Sequence, residues 1–219
     1  MSNVKYGLAD FAPITLATIS PFVVLVHPSV PVRNIKELIA LAKAKPNQLN
    51  YGSSGNGSVS HLAAEQFQTL AGVQFTHIPY KSGGQSVTDL IAGQVQLNFE
   101  NLPVIYPHVK AGKIKVLATI GGNRYRTLPD VPAFSELGID LDFRGWVGAF
   151  APVGVSRDIV NRLNGEINKI LSNTEFNDKY LVPGSVEFKA TSPEEFAKFI
   201  NAEHAKWSKV VREANIRAE

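Results

Sequence analysis

The stretch Asn50-Tyr51-Gly52-Ser53-Ser54-Gly55-Asn56-Gly57-Ser58-Val59-Ser60-His61 concentrates glycine, hydroxyl, amide and imidazole groups in a pattern suited to anion binding. An apolar strand ending at Leu49 and Tyr51 runs into it. From Val59 the period changes, with Leu62, Ala63, Phe67, Leu70 and Ala71 recurring at helical spacing. Strand, Gly-rich turn and helix start therefore follow one another, with Ser58 as the predicted N-cap. The first N–H groups of a helix lack internal partners and carry partial positive charge, and glycines let a bound group come close to the backbone. The loop is a candidate carboxylate seat, with an ordinary solvated βα turn as the alternative.

A second loop repeats the design. A short strand over 74–78 leads into Pro79-Tyr80-Lys81-Ser82-Gly83-Gly84-Gln85-Ser86, after which Val87, Leu90 and Ile91 mark a short helix. In parallel sheets such loops emerge together at the carboxyl ends of the strands. Two helix starts facing one cleft fit a dianion better than one does. Val95, Leu97 and Phe99 alternate with Gln96, Asn98 and Glu100, predicting a strand with one polar face and with Glu100-Asn101 at its carboxyl end, near both loops.

Other chemistries fit less well. Gly55-Asn56-Gly57 is followed by Ser60 where a dinucleotide fingerprint needs its last glycine, and no Gly-Lys-Ser/Thr is present for a nucleotide P-loop. Gly52-x-Ser54-x ends in Asn56, which breaks the nucleophile elbow. A hydrolase using Ser54 or Ser58 with His61 or His77 is the competing enzyme reading, and none of the five histidines stands at a recognised catalytic spacing from a serine. His77 alternates with Phe75, which points its side chain to the packed side. The expectation is therefore no enzyme, no catalytic residues, no cofactor and no metal.

Composition narrows the class further. The 219 residues are 44% apolar and 19% charged, which suits a packed core and argues against disorder. Lys plus Arg is 22 and Asp plus Glu is 19, a net +3 too weak and too scattered for a nucleic-acid partner. Cysteine is absent, so disulfides and thiolate chemistry are excluded. No apolar run reaches membrane-spanning length, and the start, Met1 to Lys5, has no apolar segment of the kind a signal peptide needs.

The elements that must position these loops read in order. Residues 1–10 form a tether. Residues 11–19 are a strand, Pro21 interrupts it, and 22–26 resume it as an apolar strand buried on both faces, a pattern that fits a crossover between lobes. Asn34, with Glu37 in the capping-box position, starts a helix buried through Ile35, Leu38, Ile39 and Ala42 and ended by Pro46. After Glu100 come a short helix from Pro103, interrupted at Pro107, a strand over 114–120, and Arg124-Tyr125-Arg126, read as a solvated loop or a basic rim. Residues 128–137 hold a proline turn and a short helix. Residues 143–151 form a long strand weakened by Gly145 and Gly148, which marks bends or close backbone approach. It is the second predicted crossover, with Trp146 lining a cleft or filling core. A long helix follows Ser156, then a short helix at 177–181, a strand at 186–188 and a terminal helix from Ser192 that runs past Trp207 to Ala214.

Residues 20–145 supply a complete α/β unit. The flanks, 1–19 and 146–219, supply about three strands and two long apolar helices, too little sheet for the helices to cover. Part of the flanking lobe is therefore expected to be missing.

A family resemblance accounts for this imbalance. Asp10-Phe11-Ala12-Pro13-Ile14-Thr15-Leu16, Val24-Leu25-Val26-His27-Pro28-Ser29, Leu49 to Ser58, His77-Ile78-Pro79-Tyr80-Lys81 and Leu128-Pro129-Asp130-Val131-Pro132 resemble, in order and over almost the whole chain, the extracytoplasmic solute receptors of the tripartite tricarboxylate transporter system, the Bug family. The resemblance implies a two-lobed, periplasmic-binding-protein-like α/β fold with two crossover strands, whose first lobe here lacks its N-terminal part. It divides the chain into 1–19 with 146–219 as a discontinuous remnant of lobe one and 20–145 as lobe two. It implies a periplasmic receptor that traps a small organic carboxylate, a di- or tricarboxylate or an acidic amino acid, and passes it to membrane components of the transporter. Carried over by position, Ser54, Gly55, Gly57 and Ser58 match the first ligand loop, and Tyr80, Lys81, Ser82 and Gly83 match the second. Glu100 stands where the family usually has aspartate, followed by Asn101 as usual. His61 is either a charge beside the loop or a packing histidine. The segment that supplies the opposite wall of the ligand site in the family is not matched. A non-binding chain that oligomerises through uncovered lobe-one helices is thus the alternative.

Overall fold

The structure, a computed structural model, describes residues 5–213. Residues 1–4 of the expected tether and Ala214 at the end of the terminal helix lie outside the described residues; Leu8–Asp10 form a 3-10 turn.

The longest strand, β1 (Phe11–Val26), organises the molecule. Its second half lies in a sheet with β2 (Asn50–Ser53), β3 (Thr76–Pro79), β4 (Leu97–Asn101) and β5 (Lys115–Thr119), in the order β3-β2-β4-β1-β5. β2 is parallel to β3 and β4, whereas β1 runs antiparallel to β4 and β5. The carboxyl ends of β2, β3 and β4 therefore share one edge. Its first half pairs with β6 (Arg144–Pro152) and with the two-residue β7 (Glu187–Phe188). Pro21 does not break β1 as the sequence predicts. Ser20 pairs with Gly145 and Pro21 with Arg144, and from Phe22 the partners become β4 and β5. Proline lacks a donor, and it stands where one set of partners gives way to another.

Alternation along β1 sorts the core. Phe22, Val24 and Val26 join one buried cluster with α1 (Ile35–Ala44) and α2 (Val59–Ala71). Val23 and Leu25 join a second with α3 (Gly83–Ile91) and α4 (Leu102–Lys110). Both faces are covered, which is why this run is continuously apolar. On the smaller sheet, α5 (Arg157–Leu171) packs Val160 onto Ile14 and Ala151, and α7 (Pro193–Glu213) packs Phe196 and Ile200 onto Leu16. Between them lie α6 (Thr174–Phe176) and a π turn over Asn177–Leu181, where the sequence predicts one helix.

The helix signals work locally. Asn34 Oδ1 accepts from Glu37 N–H at 2.9 Å, and Glu37 accepts from Arg33 N–H at 2.8 Å. Ser192 and Glu195 exchange bonds at 3.2 and 2.8 Å at the start of α7. α4 runs through Pro107 without ending there.

Candidate functional site

β2 delivers the first loop through Ser53, whose hydroxyl holds His77 Nε2 at 2.6 Å and receives Gly55 N–H at 3.1 Å. The loop is already knitted to the chain. Ser54 N–H donates to Ser60 Oγ (3.0 Å), Gly57 N–H to His61 Nδ1 (3.0 Å) and Ser58 N–H to Gly55 O (3.1 Å). Ser58 caps α2 by accepting from His61 N–H at 3.4 Å. Gly55 and Gly57 have φ of 116° and 72°, a region closed to most side chains. The sequence reading offered these amides to a ligand. In the structure the N–H groups of Ser54, Gly55, Gly57 and Ser58 all serve the chain itself: Ser60 and His61 fold back from the first turn of α2 onto Ser54 and Gly57, and Ser53 Oγ and Gly55 O take the other two.

Ser54 faces a cavity of about 540 Å3 at the shared carboxyl edge. Gly83, Gly84, Glu100 and Asn101 line it too, as do Ser20 and Gly145, which pair with each other where β1 leaves the smaller sheet and β6 begins. Strand ends and helix starts well separated in sequence thus meet at one hollow. Gly55, Gly57, Ser58, Tyr80, Lys81 and Ser82 stand outside its lining. Ser82 caps α3 by accepting from Gln85 N–H at 3.3 Å, Lys81 is exposed, and Tyr80 packs against the second core cluster with its phenol pushed up to about 12 by burial and by its bond to Asp89. Gly83 and Gly84 open α3, where N–H groups have no intrahelical partner. They are the donors available to an anion.

Glu100 modifies this seat. It is 6% exposed, and a Cβ on Gly83 would come 2.5 Å from its Oε2, so the carboxyl lies against the start of α3. Burial raises its pKa, and the Asn101 N–H on Oε1 at 2.9 Å pulls the other way. The expected polar face of β4 is buried: Asn98 Nδ2 donates to Ser86 Oγ at 2.6 Å beneath α3. Asn101 Nδ2 donates to Ser20 Oγ at 2.9 Å, tying β4 to the crossover.

Sequence reasoning did not name Ser20, Phe22 or Arg144 as lining residues. The usable signals were a serine before proline inside an apolar run and an arginine ahead of Gly145-Trp146. Trp146 fulfils both readings, lining the cavity and packing its ring on Phe199 at 5.5 Å. Arg124 is a structural residue, paired with Glu136 at 2.8 Å. The Ser54 and Ser58 hydroxyls bond to Ser60 Oγ rather than to a histidine ring. Two serines among the described residues bond a histidine ring: Ser53, fully buried, bonds His77 Nε2 at 2.6 Å, and exposed Ser29 bonds His27 Nδ1 at 2.7 Å, away from both ligand loops. Among the described residues no cluster of acids and histidines is arranged to hold a metal. Another hollow, of about 570 Å3 between α5 and the 173–180 segment, gathers none of the predicted residues.

A mixed α/β chain whose longest strand passes between two sheets, with a cavity at the passage, has the fold of a two-lobed binding protein. R. palustris Rpa4515, solved with adipate, superposes with a TM-score of 0.92 at 33% identity, over 98% of this chain and 72% of that one. MatC (Rpa3494) from Rhodopseudomonas palustris, solved with bound malate, gives 0.87 at 25% identity, over 95% and 72%. Residues 1–216 match the tripartite tricarboxylate transporter family receptors, and the chain belongs to that family. Protein BugT of Bordetella pertussis is 31% identical over 219 residues, 99% of this chain and 67% of its own length. A UPF0065 protein of Cupriavidus necator is 34% identical over 192 residues, 88% of this chain and 58% of its own length.

Proposed function

We propose that the chain is the solute-capturing part of a tripartite tricarboxylate transporter receptor and that it holds a small carboxylate in the cavity at the carboxyl ends of β2 and β4. The observation that carries this is the convergence of Ser54, Gly83, Glu100 and Asn101, drawn from the three ligand segments named by sequence, on one hollow together with Ser20 and Gly145. Its 540 Å3 lies within the ~300–1,000 Å3 range of small-molecule sites. Adipate and malate in the solved relatives favour a carboxylate. Gly83 and Gly84 N–H and the Ser54 hydroxyl would take the carboxylate, and Gly55, Gly57, Ser58, Tyr80, Lys81 and Ser82 would shape and brace the loops. Residues 1–19 with 146–219 would form one lobe and 20–145 the other. Bending near Ser20-Pro21 and Gly145 would close them. Family membership supports a periplasmic location, membrane transporter partners and a binding role rather than catalysis.

The test is calorimetry with succinate, malate, adipate, citrate, aspartate and glutamate. Heat and a raised melting temperature are expected with at least one of them. Gly145→Ala is expected to weaken that binding about tenfold, because the new methyl would stand 3.0 Å from Ser20 Oγ and 3.1 Å from Asn101 Nδ2. No response to any acid overturns the proposal.

A second reading has its own observation. Ile159, Leu163 and Ile170 on α5 are 53%, 41% and 54% exposed, an apolar face of the kind that marks an interface. Self-association through α5 would appear as a mass that rises with concentration in light scattering and falls back to 23.8 kDa in an Ile159→Lys/Leu163→Lys variant.

A further inference from the structure

α7 is one helix whose two halves are fixed to different parts of the molecule. Its first half belongs to the smaller sheet: Phe196, fully buried, and Ile200 pack on Leu16, and Phe199 meets Trp146 at 5.5 Å. About 16 Å further along the axis, Trp207 joins the core cluster that contains Phe143 and the buried faces of α1 and α2. Its ring meets Phe143 edge-on at 5.0 Å, and Phe143 meets Phe22 at 4.6 Å, where β1 takes up its partner in the larger sheet. The indole is clamped in place. Glu203 Oε2 accepts its Nε1–H at 2.9 Å, and the Lys206 ammonium stands over the ring at 5.4 Å while donating to Asp142 O at 2.7 Å. Trp207, Phe143 and Phe22 all line the ligand cavity.

The backbone beside the cavity has places to bend, at Ser20-Pro21 and Gly145. α7 does not: beyond Pro193 it contains neither glycine nor proline, the usual causes of a kink. A stiff rod held at both ends cannot follow a bend next to it unless one end lets go. The Phe196 end is fully buried against Gly148, whereas Trp207 is partly buried and its clamp includes the exposed Lys206. The Trp207 end is the one to leave.

We propose that the second half of α7 is a strap on the ligand cavity, with Trp207 as the positioning residue that fastens it. Docked on Phe143, Trp207 holds the cavity in the shape described; released, it frees the two sheets to shift and removes one wall. Capture of a carboxylate and docking of the strap therefore reinforce each other. This rests on the carboxylate-receptor reading above. Linkage makes the coupling reciprocal: the factor by which docking tightens binding is the factor by which the bound acid tightens docking.

Calorimetry on the parent first selects the tightest-binding of the six acids above. Trp207→Ala is expected to weaken that acid about tenfold, since only the docked fraction binds well. Lys206→Met leaves the cavity lining intact and cuts the tie to Asp142 O; it is expected to weaken the same acid about threefold while the free variant melts within ~2 °C of the parent. Amide hydrogen exchange supplies a readout that a merely structural tryptophan would not move. Saturation with the selected acid is expected to slow exchange over 203–212 in the parent about tenfold, and to slow it less in Lys206→Met. Exchange over 203–212 that ignores a bound acid, or affinity that is unchanged or higher in Lys206→Met, overturns the inference and leaves the receptor reading standing. Binding of none of the six acids by the parent overturns the receptor reading and this inference with it.

Discussion

Replacing Phe196 by alanine is expected to remove about 3–5 kcal/mol of stability, the range for emptying a buried aromatic site. In a chain of this length that lowers the melting temperature by roughly 10 °C. The ring is 0% exposed and sits between Leu16 of β1 and the aromatic rings of Trp146 at 6.0 Å and Phe150 at 5.0 Å on β6. It reaches that place because β6 carries Gly148, where any Cβ would overlap the Phe196 ring. The complementary change, Gly148→Val, drives a side chain into a ring that its neighbours hold fast, and it is expected to cost at least as much. Phe196→Leu, which refills most of the volume, is expected to cost roughly half as much. Urea unfolding of the three variants is the measurement. A loss below about 1 kcal/mol in Phe196→Ala would mean that α7 does not anchor β6. The effect should reach the cavity, since the same strand carries Gly145 and Trp146 into it.

That contact illustrates what the sequence reveals. Gly145 and Gly148 in a strand pattern announce close approach, and both deliver it, to Ser20, Phe22 and Asn101 in one case and to Phe196 in the other. Which neighbours approach is a tertiary fact with no local signal. The same division holds for β1. Apolar runs on both sides of Pro21 identify extended chain, but continuity through the proline depends on Gly145 and Arg144 being there to pair with Ser20 and Pro21. Caps at Asn34 and Ser58 and the left-handed Gly72 closing α2 (φ 61°) are readable because a cap is settled within a few residues.

The site divides along the same line. Glycines and serines after a strand identify the loops, and parallel order brings them to one edge. Whether an amide there is free depends on side chains that return from the next turn. Ser60 and His61 occupy the amides of Ser54 and Gly57, and nothing in a Gly/Ser composition distinguishes a loop that offers its N–H groups from one that has used them. Glu100 lies against the start of α3 for a similarly remote reason: Gly83 leaves it room.

Acidification from about pH 6.5 to about pH 4 is expected to remove some 2–3 kcal/mol through the histidine stack beneath the first loop. His77 lies between Tyr51 and His61, with ring centroids at 4.7 and 4.1 Å, and burial first, then the neighbouring His61, holds its pKa down from 6.5 to about 4. The sign follows from where the protons go. Between those two values the unfolded chain binds a proton that folded His77 refuses, so stability is full above pH 6.5 and is lost as pH falls toward 4. At about 1.4 kcal/mol per tenfold change the span is worth ~3 kcal/mol, reduced somewhat because the ring is only half-buried. His61 is depressed in the same direction by burial, against an upward pull from Glu65, so it adds to the slope. Glu100 acts oppositely, its raised pKa relieving a buried charge as pH drops. His77→Gln separates these contributions: it keeps a partner for Ser53 and cannot titrate, so the stability difference between pH 7 and pH 4.5 should shrink by about 2 kcal/mol. An unchanged difference would assign the acid loss to other groups. A local consequence accompanies the global one. His61 Nδ1 accepts the Gly57 N–H at 3.0 Å only while it carries no proton, so protonation sets two donors face to face and releases the loop that carries Ser54. The Gly57 amide resonance should therefore move with the His61 ring titration.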